Sequence, residues 1–387
     1  MNHAYSRPLP DRDGWDAIFR GENQHPLIVW ADDLTGAGNV AVPFARAGAR
    51  TRVDFTNIAS QNSADADVIA TNLDCRQDVC PRLPAGVAPH FVKIDSLGRG
   101  HPGALINAIL AVQPSPRSVL VAPAWPVMGR TVRGGYGPSE FGSVHWPTLL
   151  RTELDDAGPA VHRRVPSEPA DPTSPVVIVA DADVDEQLDG LIVDMISRYP
   201  DALLVGSQGL ADACARMLPH RSATGATSPN RPLSGRIVAV LGSEHPATEH
   251  QWDAVRGHPD WTAVELTADG ASRVDTSSSA SHLALRVRAR TEADLAGVLQ
   301  IHADHVLAAV RSSERILLTG GRTASLVLSI AAITGAHNPR ERLAGLTEYS
   351  RPQAPHTIYT KPGSVGEADL LVSLADHRAA TTGRISR

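Results

Sequence analysis

Two adjacent carboxylates, Asp32 and Asp33, stand directly behind the apolar run Leu27–Trp30 and just ahead of Thr35-Gly36, where a helix can open. Carboxylates at a strand end need a task or solvent. Asp33 is placed to cap the helix, which leaves Asp32 as the preferred group to accept or orient a hydroxyl proton. Three further runs end in the same manner. Asn72-Leu73-Asp74-Cys75-Arg76 follows one, Lys93-Ile94-Asp95-Ser96 with Arg99 follows the next, and Gly129-Arg130-Thr131 comes after Pro123-Ala124-Trp125-Pro126. Arg76, Lys93, Arg99 and Arg130 converging at strand ends would hold a carboxylate, the arginines in two-pronged fashion.

The second half of the chain offers different chemistry. Gly242-Ser243, Thr319-Gly320-Gly321-Arg322-Thr323 and Lys361-Pro362-Gly363-Ser364-Val365-Gly366 are small-residue turns behind apolar runs. Small residues let backbone N–H groups approach phosphate oxygens, and a helix N-terminus favours the negative charge.

The elements that must position these groups read as strand, turn and helix in repetition. Strands are expected at Leu27–Trp30, Val68–Thr71, His90–Ile94, Ser118–Ala122, Val176–Ala180, Ala202–Val205, Arg236–Leu241 and Arg315–Leu318. Helices are expected at Gly36–Ala47, Gly103–Val112, Asp185–Arg198, Leu210–Leu218, Thr248–Val255 and Ala324–Ile333. This order argues an α/β protein of two domains, each a largely parallel sheet flanked by helices, with the active site in the interdomain cleft. Proline-rich and polar stretches at Val165–Pro175 and Pro219–Gly235 read as linkers, and the Ser-rich Asp269–Ser281 as an exposed loop. The division that follows is residues 1–220, a linker over 221–235, and residues 236–387.

Composition excludes several classes. The net charge of -6 argues against nucleic acid as the partner. No apolar run is long enough to span a membrane, and the N-terminal residues carry acids and prolines where a signal peptide needs an apolar stretch. Three cysteines make no disulfide framework and suit a reducing cytoplasm. No residue set for a protein-held metal stands out. Gly98-Arg99-Gly100-His101-Pro102-Gly103 fits a dinucleotide fingerprint, yet no acid follows between Ala104 and Trp125 to hold a ribose. Thr35-Gly36-Ala37-Gly38-Asn39 resembles the signature of ribokinase-type kinases but has Asn39 where their base stands. A Walker A loop is absent.

Taken in order, ADDLTGA, NLDCR, KIDS, PAWP with GRT, GSQGLA, GGRTA and KPGSVG resemble the four-carbon acid sugar kinase family, from about Leu27 to Leu374. The resemblance implies a sugar-binding N-terminal domain, a nucleotide-binding C-terminal domain, and ATP-dependent phosphorylation of a hydroxyl, the terminal one, of an acid such as threonate, erythronate or a 3-oxo-tetronate. It implies substrate contacts at Asp32, Arg76 and Lys93 through Ser96, and ATP contacts at Ser243, Gly320, Gly321, Arg322, Thr323 and Gly363. Mg²⁺ would accompany the ATP phosphates. The chain departs from the family at Leu97-Gly98-Arg99, at Leu73 and Cys75, and at Arg322, which stands where the family has an acid. A catalytically altered binding or regulatory member of the same fold, or a kinase for a non-tetronate acceptor in a specialised pathway, is the competing reading. A homodimer is left open.

Overall fold

The computed structural model describes residues 26–56, 66–77, 82–84, 88–112, 118–154, 160–162, 176–199, 201–218, 235–273, 281–351 and 356–376. Both expected linkers lie outside these residues, apart from Gly235. The chain divides into two compact units, Met1–Thr224 and Gly225–Arg387.

The first unit is built on strands β1 (Leu27–Ala31), β2 (Thr51–Asp54), β3 (Val68–Asn72), β4 (Phe91–Lys93), β5 (Val119–Ala122), β6 (Tyr136–Ser139), β7 (Gly142–His145), β8 (Ala160–His162), β9 (Val176–Val179) and β10 (Leu203–Gly206). Its helices are α1 (Leu34–Arg46), α2 (Pro102–Ala111), α3 (Trp146–Glu153), α4 (Asp185–Arg198) and α5 (Gln208–Met217). The main sheet runs in the order β2-β3-β1-β4-β10-β5-β9-β8 and is parallel. Its strands are nearly continuous apolar runs, such as VLVA in β5 and VVIV in β9, as a sheet covered on both faces requires. β6 and β7 form a separate antiparallel hairpin.

The chain leaves β1 through α1 toward β2 and leaves β4 through α2 toward β5. Neighbouring strands whose outgoing connections diverge open a crevice beyond their carboxyl ends, and ligands sit there. Asp32 and the segment after Lys93 flank that crevice, and Asp32 N donates to Lys93 O at 3.2 Å.

The second unit has strands β11 (Ile237–Leu241), β12 (Trp261–Thr267), β13 (Gly270–Arg273), β14 (His282–Val287), β15 (Arg315–Thr319), β16 (Gly335–Leu343), β17 (Leu346–Ser350) and β18 (Thr357–Lys361). Its helices are α6 (Pro246–Arg256), α7 (Glu292–Ile301), α8 (Ala303–Arg311), α9 (Gly321–Ile330) and α10 (Leu370–Ala375). The order is β13-β12-β14-β11-β15-β18-β17-β16, with the five strands β12 to β18 parallel and β13, β17 and β16 antiparallel. Ile237, Ala239, Leu241, Leu317 and Tyr359 of the sheet pack on Trp252 and Val255 of α6 and on Leu370, Leu371 and Leu374 of α10. β11 and β15 diverge as β1 and β4 do, so a second crevice opens between Ser243 and Gly320.

The Ser-rich segment differs from expectation. Its first residues form β13, because the Ala268-Asp269 turn folds the chain back on β12, with Leu266 opposite Ala271 and Thr267 opposite Gly270. Residues 274–280 lie outside the described part.

Candidate active site

In the first unit, α1 begins where Asp33 ends β1's turn. Asp33 has extended backbone and its Oδ1 accepts from Gly36 N at 2.7 Å, while Thr35 Oγ1 donates to its Oδ2 at 2.7 Å. Asp33 Oδ1 also lies 2.9 Å from Arg76 Nη2. Oδ1 is therefore filled by the cap and one arginine proton, and Oδ2 is engaged by the Thr35 hydroxyl. Asp32 is held otherwise: Arg76 Nε donates to Oδ2 at 2.9 Å and Nη2 to Oδ1 at 3.1 Å. Each oxygen keeps a second lone pair.

Arg76 reaches this position because Asp74 turns the chain through a left-handed conformation, φ 50°, with its N–H bonded to Asn72 Oδ1. Cys75 N donates to Asp32 O at 3.0 Å and stitches the two turns together. From the other side Gly100, φ +87°, lies against Arg76, and a Cβ there would sit 2.6 Å from Arg76 O. The Gly98–Gly103 pattern thus backs an arginine. It does not open a dinucleotide site, because Glu153 of α3 fills the start of α2, its Oε2 accepting from Gly103 N at 2.7 Å.

Asp95 pairs with Arg99, Oδ2 to Nη2 at 2.6 Å, and accepts from Leu97 N at 2.9 Å. Arg130 Nη1 donates to Ser96 Oγ at 2.7 Å, and its guanidinium carbon stands 5.6 Å from the Trp125 ring centroid. Lys93 Nζ donates to Ile94 O at 2.9 Å. Neither Lys93 nor Arg130 makes an ion pair with a carboxylate among the described residues. Every substrate-site residue named from the sequence is therefore brought into one group.

Burial sets the electrostatics. It pushes the Asp32 carboxyl above its ordinary value; Arg76 opposes this and Asp33 reinforces it. Burial lowers the Lys93 ammonium, against the pull of Asp32, Asp33 and Asp95. Asp95 moves the other way: burial would raise it, but the Arg99 hydrogen bond and the Arg76 charge hold it far below the usual carboxylate range. Arg130 is lowered, chiefly by burial.

In the second unit, three neighbouring turns meet beyond β11, β15 and β18. A Cβ on Gly320 would lie 3.6 Å from Ser243 Cβ, and one on Gly363 would collide with Ser243 Oγ. Gly320, φ 95°, precedes α9, whose first turn has no side-chain cap and no acid. Arg322 lies in that turn, where a cation opposes the helix dipole unless an anion is near. The Thr319 hydroxyl is buried without a hydrogen-bond partner at the end of β15. Ser243, Gly320 to Thr323 and Gly363 therefore fit polyphosphate. No group of three or more His, Cys, Asp or Glu suited to a metal ion occurs among the described residues. Sequence reasoning missed Thr248 and Gln251 around these turns, which no motif marks; Lys361 heads the KPGSVG turn, and the structure adds that its side chain is buried.

Comparison with known proteins matches residues 27–145 to the sugar-binding N-terminal domain family. A D-threonate kinase of Bordetella bronchiseptica is 28% identical, aligned over 89% of this chain and 95% of its own. A 3-oxo-tetronate kinase of Salmonella typhimurium is 24% identical over 89% of this chain and 97% of its own. Among solved structures, a Haemophilus influenzae protein of family DUF1537 has the same fold, with a TM-score of 0.59 at 17% identity, covering 91% of this chain and 100% of that one. The matching domain spans the Asp32, Arg76 and Lys93 turns and these relatives run nearly end to end, so the chain is similar over most of its length to the four-carbon acid sugar kinases.

Proposed function

We propose that this protein is a kinase that transfers the γ-phosphoryl group of ATP to a hydroxyl of a small sugar acid. The first unit binds the acid and the second binds the nucleotide. One observation carries the reading. The crevice holding a buried, cation-bound aspartate also holds two cations, Lys93 and Arg130, with no carboxylate of their own. A ligand carboxylate is what they lack, and Arg130, part-exposed beside Ser96, is oriented to take it.

Asp32 accepts the proton of the acceptor hydroxyl on the free lone pair of a carboxylate oxygen, and its raised pKa makes it a stronger base than an ordinary aspartate. The hydroxyl oxygen attacks the γ-phosphorus, the bond to the β-phosphate oxygen breaks, and ADP leaves. Arg76 fixes the Asp32 plane; Lys93 and Arg130 hold the acid so that a single hydroxyl faces the phosphorus. Backbone amides of the Gly320 to Thr323 turn, with Ser243 and Gly363, hold the phosphates. When bound with the nucleotide, Mg²⁺ would supply neutralisation of the charge on the transferred group.

The names of the relatives support D-threonate and 3-oxo-tetronate as the first acids to try. A coupled ADP-release assay with Mg²⁺-ATP against four-carbon acids, their 3-oxo forms and the matching neutral sugars tests the reading. Turnover with an acid and none with its neutral counterpart is expected. Silence across the panel with ATP still bound would leave the binding-protein reading standing in its place.

A further inference from the structure

The turn after β18 is gripped from one side by α6. Thr248 Oγ1 donates to Gly363 O at 2.9 Å. Gln251 Nε2 lies 3.0, 2.9 and 3.2 Å from the carbonyl oxygens of Val365, Gly366 and Glu367 and shares its two protons among them. Both side chains are fully buried. The arrangement leaves Gln251 Oε1 buried with no partner, a loss by ordinary desolvation. Leucine would fill similar space without that loss, so the Nε2 donor has a use of its own.

That use lies in the amides of the turn. Val365 N closes the turn on Pro362 O at 3.2 Å. The N–H groups of Gly363, Ser364 and Gly366 make no hydrogen bond among the described residues. Four carbonyls are drawn to α6 and three amides are left over. Successive main-chain donors without partners suit an anion and not a cation. The turn abuts Ser243 and His245, since a Cβ on Gly363 would meet Ser243 Oγ and lie 3.3 Å from His245 Cβ.

We propose that Thr248 and Gln251 are positioning residues of the nucleotide site: by holding the carbonyls of residues 363–367, they fix the amides of that turn as a donor-only cradle for a phosphate of ATP. The inference rests on the reading of the second unit as the nucleotide-binding one. Neither residue touches the ligand; both act through the main chain of the turn.

Thr248→Val keeps the side-chain shape and removes the donor, while Thr248→Ser keeps the donor. Gln251→Glu sets a carboxylate against three carbonyls. Calorimetric titration of the full chain with Mg²⁺-ATP, the KM for the acid and the melting temperature are measured together. Thr248→Val is expected to weaken Mg²⁺-ATP binding about tenfold, the equivalent of one lost hydrogen bond, and Gln251→Glu more. Thr248→Ser should bind like the parent, and the acid KM should stay put in all three. If Thr248→Val lowers the melting temperature but binds Mg²⁺-ATP as the parent does, the two residues only pin α6 and the inference fails, whether or not Gln251→Glu folds. If the parent chain binds no Mg²⁺-ATP, the nucleotide reading falls and takes the inference with it.

Discussion

Arg76 holds Asp32 with two prongs, Nε on Oδ2 and Nη2 on Oδ1, although 44 residues separate them in the chain. The pair is buried, with side-chain exposures of 19% and 8%. The arginine keeps the carboxylate charged and fixes its plane, while burial makes it more basic than an exposed aspartate. A proton acceptor needs that combination of a fixed direction and a raised affinity for the proton.

Asp32→Asn should lower kcat by about 10²–10⁴-fold, the usual worth of a general base, with a smaller change in the acid KM. Because the pKa of Asp32 lies above the ordinary 3.8, the active, deprotonated form is lost as pH falls through that raised value. The acid limb of kcat against pH should therefore sit higher than a free aspartate would set it. Steady-state kinetics across pH checks both, and near-parental turnover in Asp32→Asn would remove it from the base role.

Gly100→Ala places a methyl 2.6 Å from Arg76 O at a backbone φ of +87°. The left-handed conformation alone costs about 1 kcal/mol or more for a residue with a Cβ. Arg76 must also shift, so activity should fall further than stability does. Thermal melting and acid turnover measured on the same preparation separate the two, and an unchanged kcat would show that Arg76 is not set from this side.

Arg130→Met should raise the KM for the acid by about tenfold or more, as loss of one charge-assisted hydrogen bond would. The affinity for Mg²⁺-ATP should be unmoved. An unchanged KM for the acid would show that Arg130 does not read the carboxylate.

Lys361 is fully buried and, among the described residues, its ammonium donates only to Pro362 O at 3.3 Å. Burial lowers its pKa to about 7, against about 10.4 in an unfolded chain. Between those values the unfolded chain binds the extra proton, so folding stability rises with pH across that window. Below it both states are protonated and the burial penalty is present in full, on the order of 4 kcal/mol by the size of the shift. Urea unfolding at several pH values should show this rise in the parent and a flatter profile in Lys361→Met; matching slopes would rule out Lys361 as the source.

Much of this architecture is legible in the chain. β1, β3, β5 and β9 are apolar runs that end in turn residues, and α4 spans Asp185–Arg198 as its pattern predicts. Asp33 caps α1 as its position before Thr35-Gly36 requires. β2 escaped notice because its TRVD carries two charges; they are buried only because Arg52 Nε and Asp54 Oδ1 pair at 2.9 Å on one face. β14 hid for the same reason, since Arg286 is fully buried and neutralised by Glu244 and Glu249. β16 and β17 form a charged antiparallel pair with no apolar run to mark it. At the site, residue types could be read from strand ends, but partnership could not. That Arg76 and Arg99 are occupied by carboxylates while Lys93 and Arg130 are not depends on turns far apart in sequence.

Counting parallel strands alone, and so leaving out the antiparallel β13, the two units share one wiring, in which the second and third strands lie to one side of the first and the fourth to the other. They furnish it differently. The crevice of the first is lined by charged side chains, and that of the second mostly by main chain. Side chains can be exchanged one codon at a time, whereas a main-chain cradle is shared by nearly every residue that could stand there. A lineage on this scaffold can thus drift in the acid it accepts, as the departures at Leu97 and Arg99 suit, while its handling of phosphate is inherited almost unchanged.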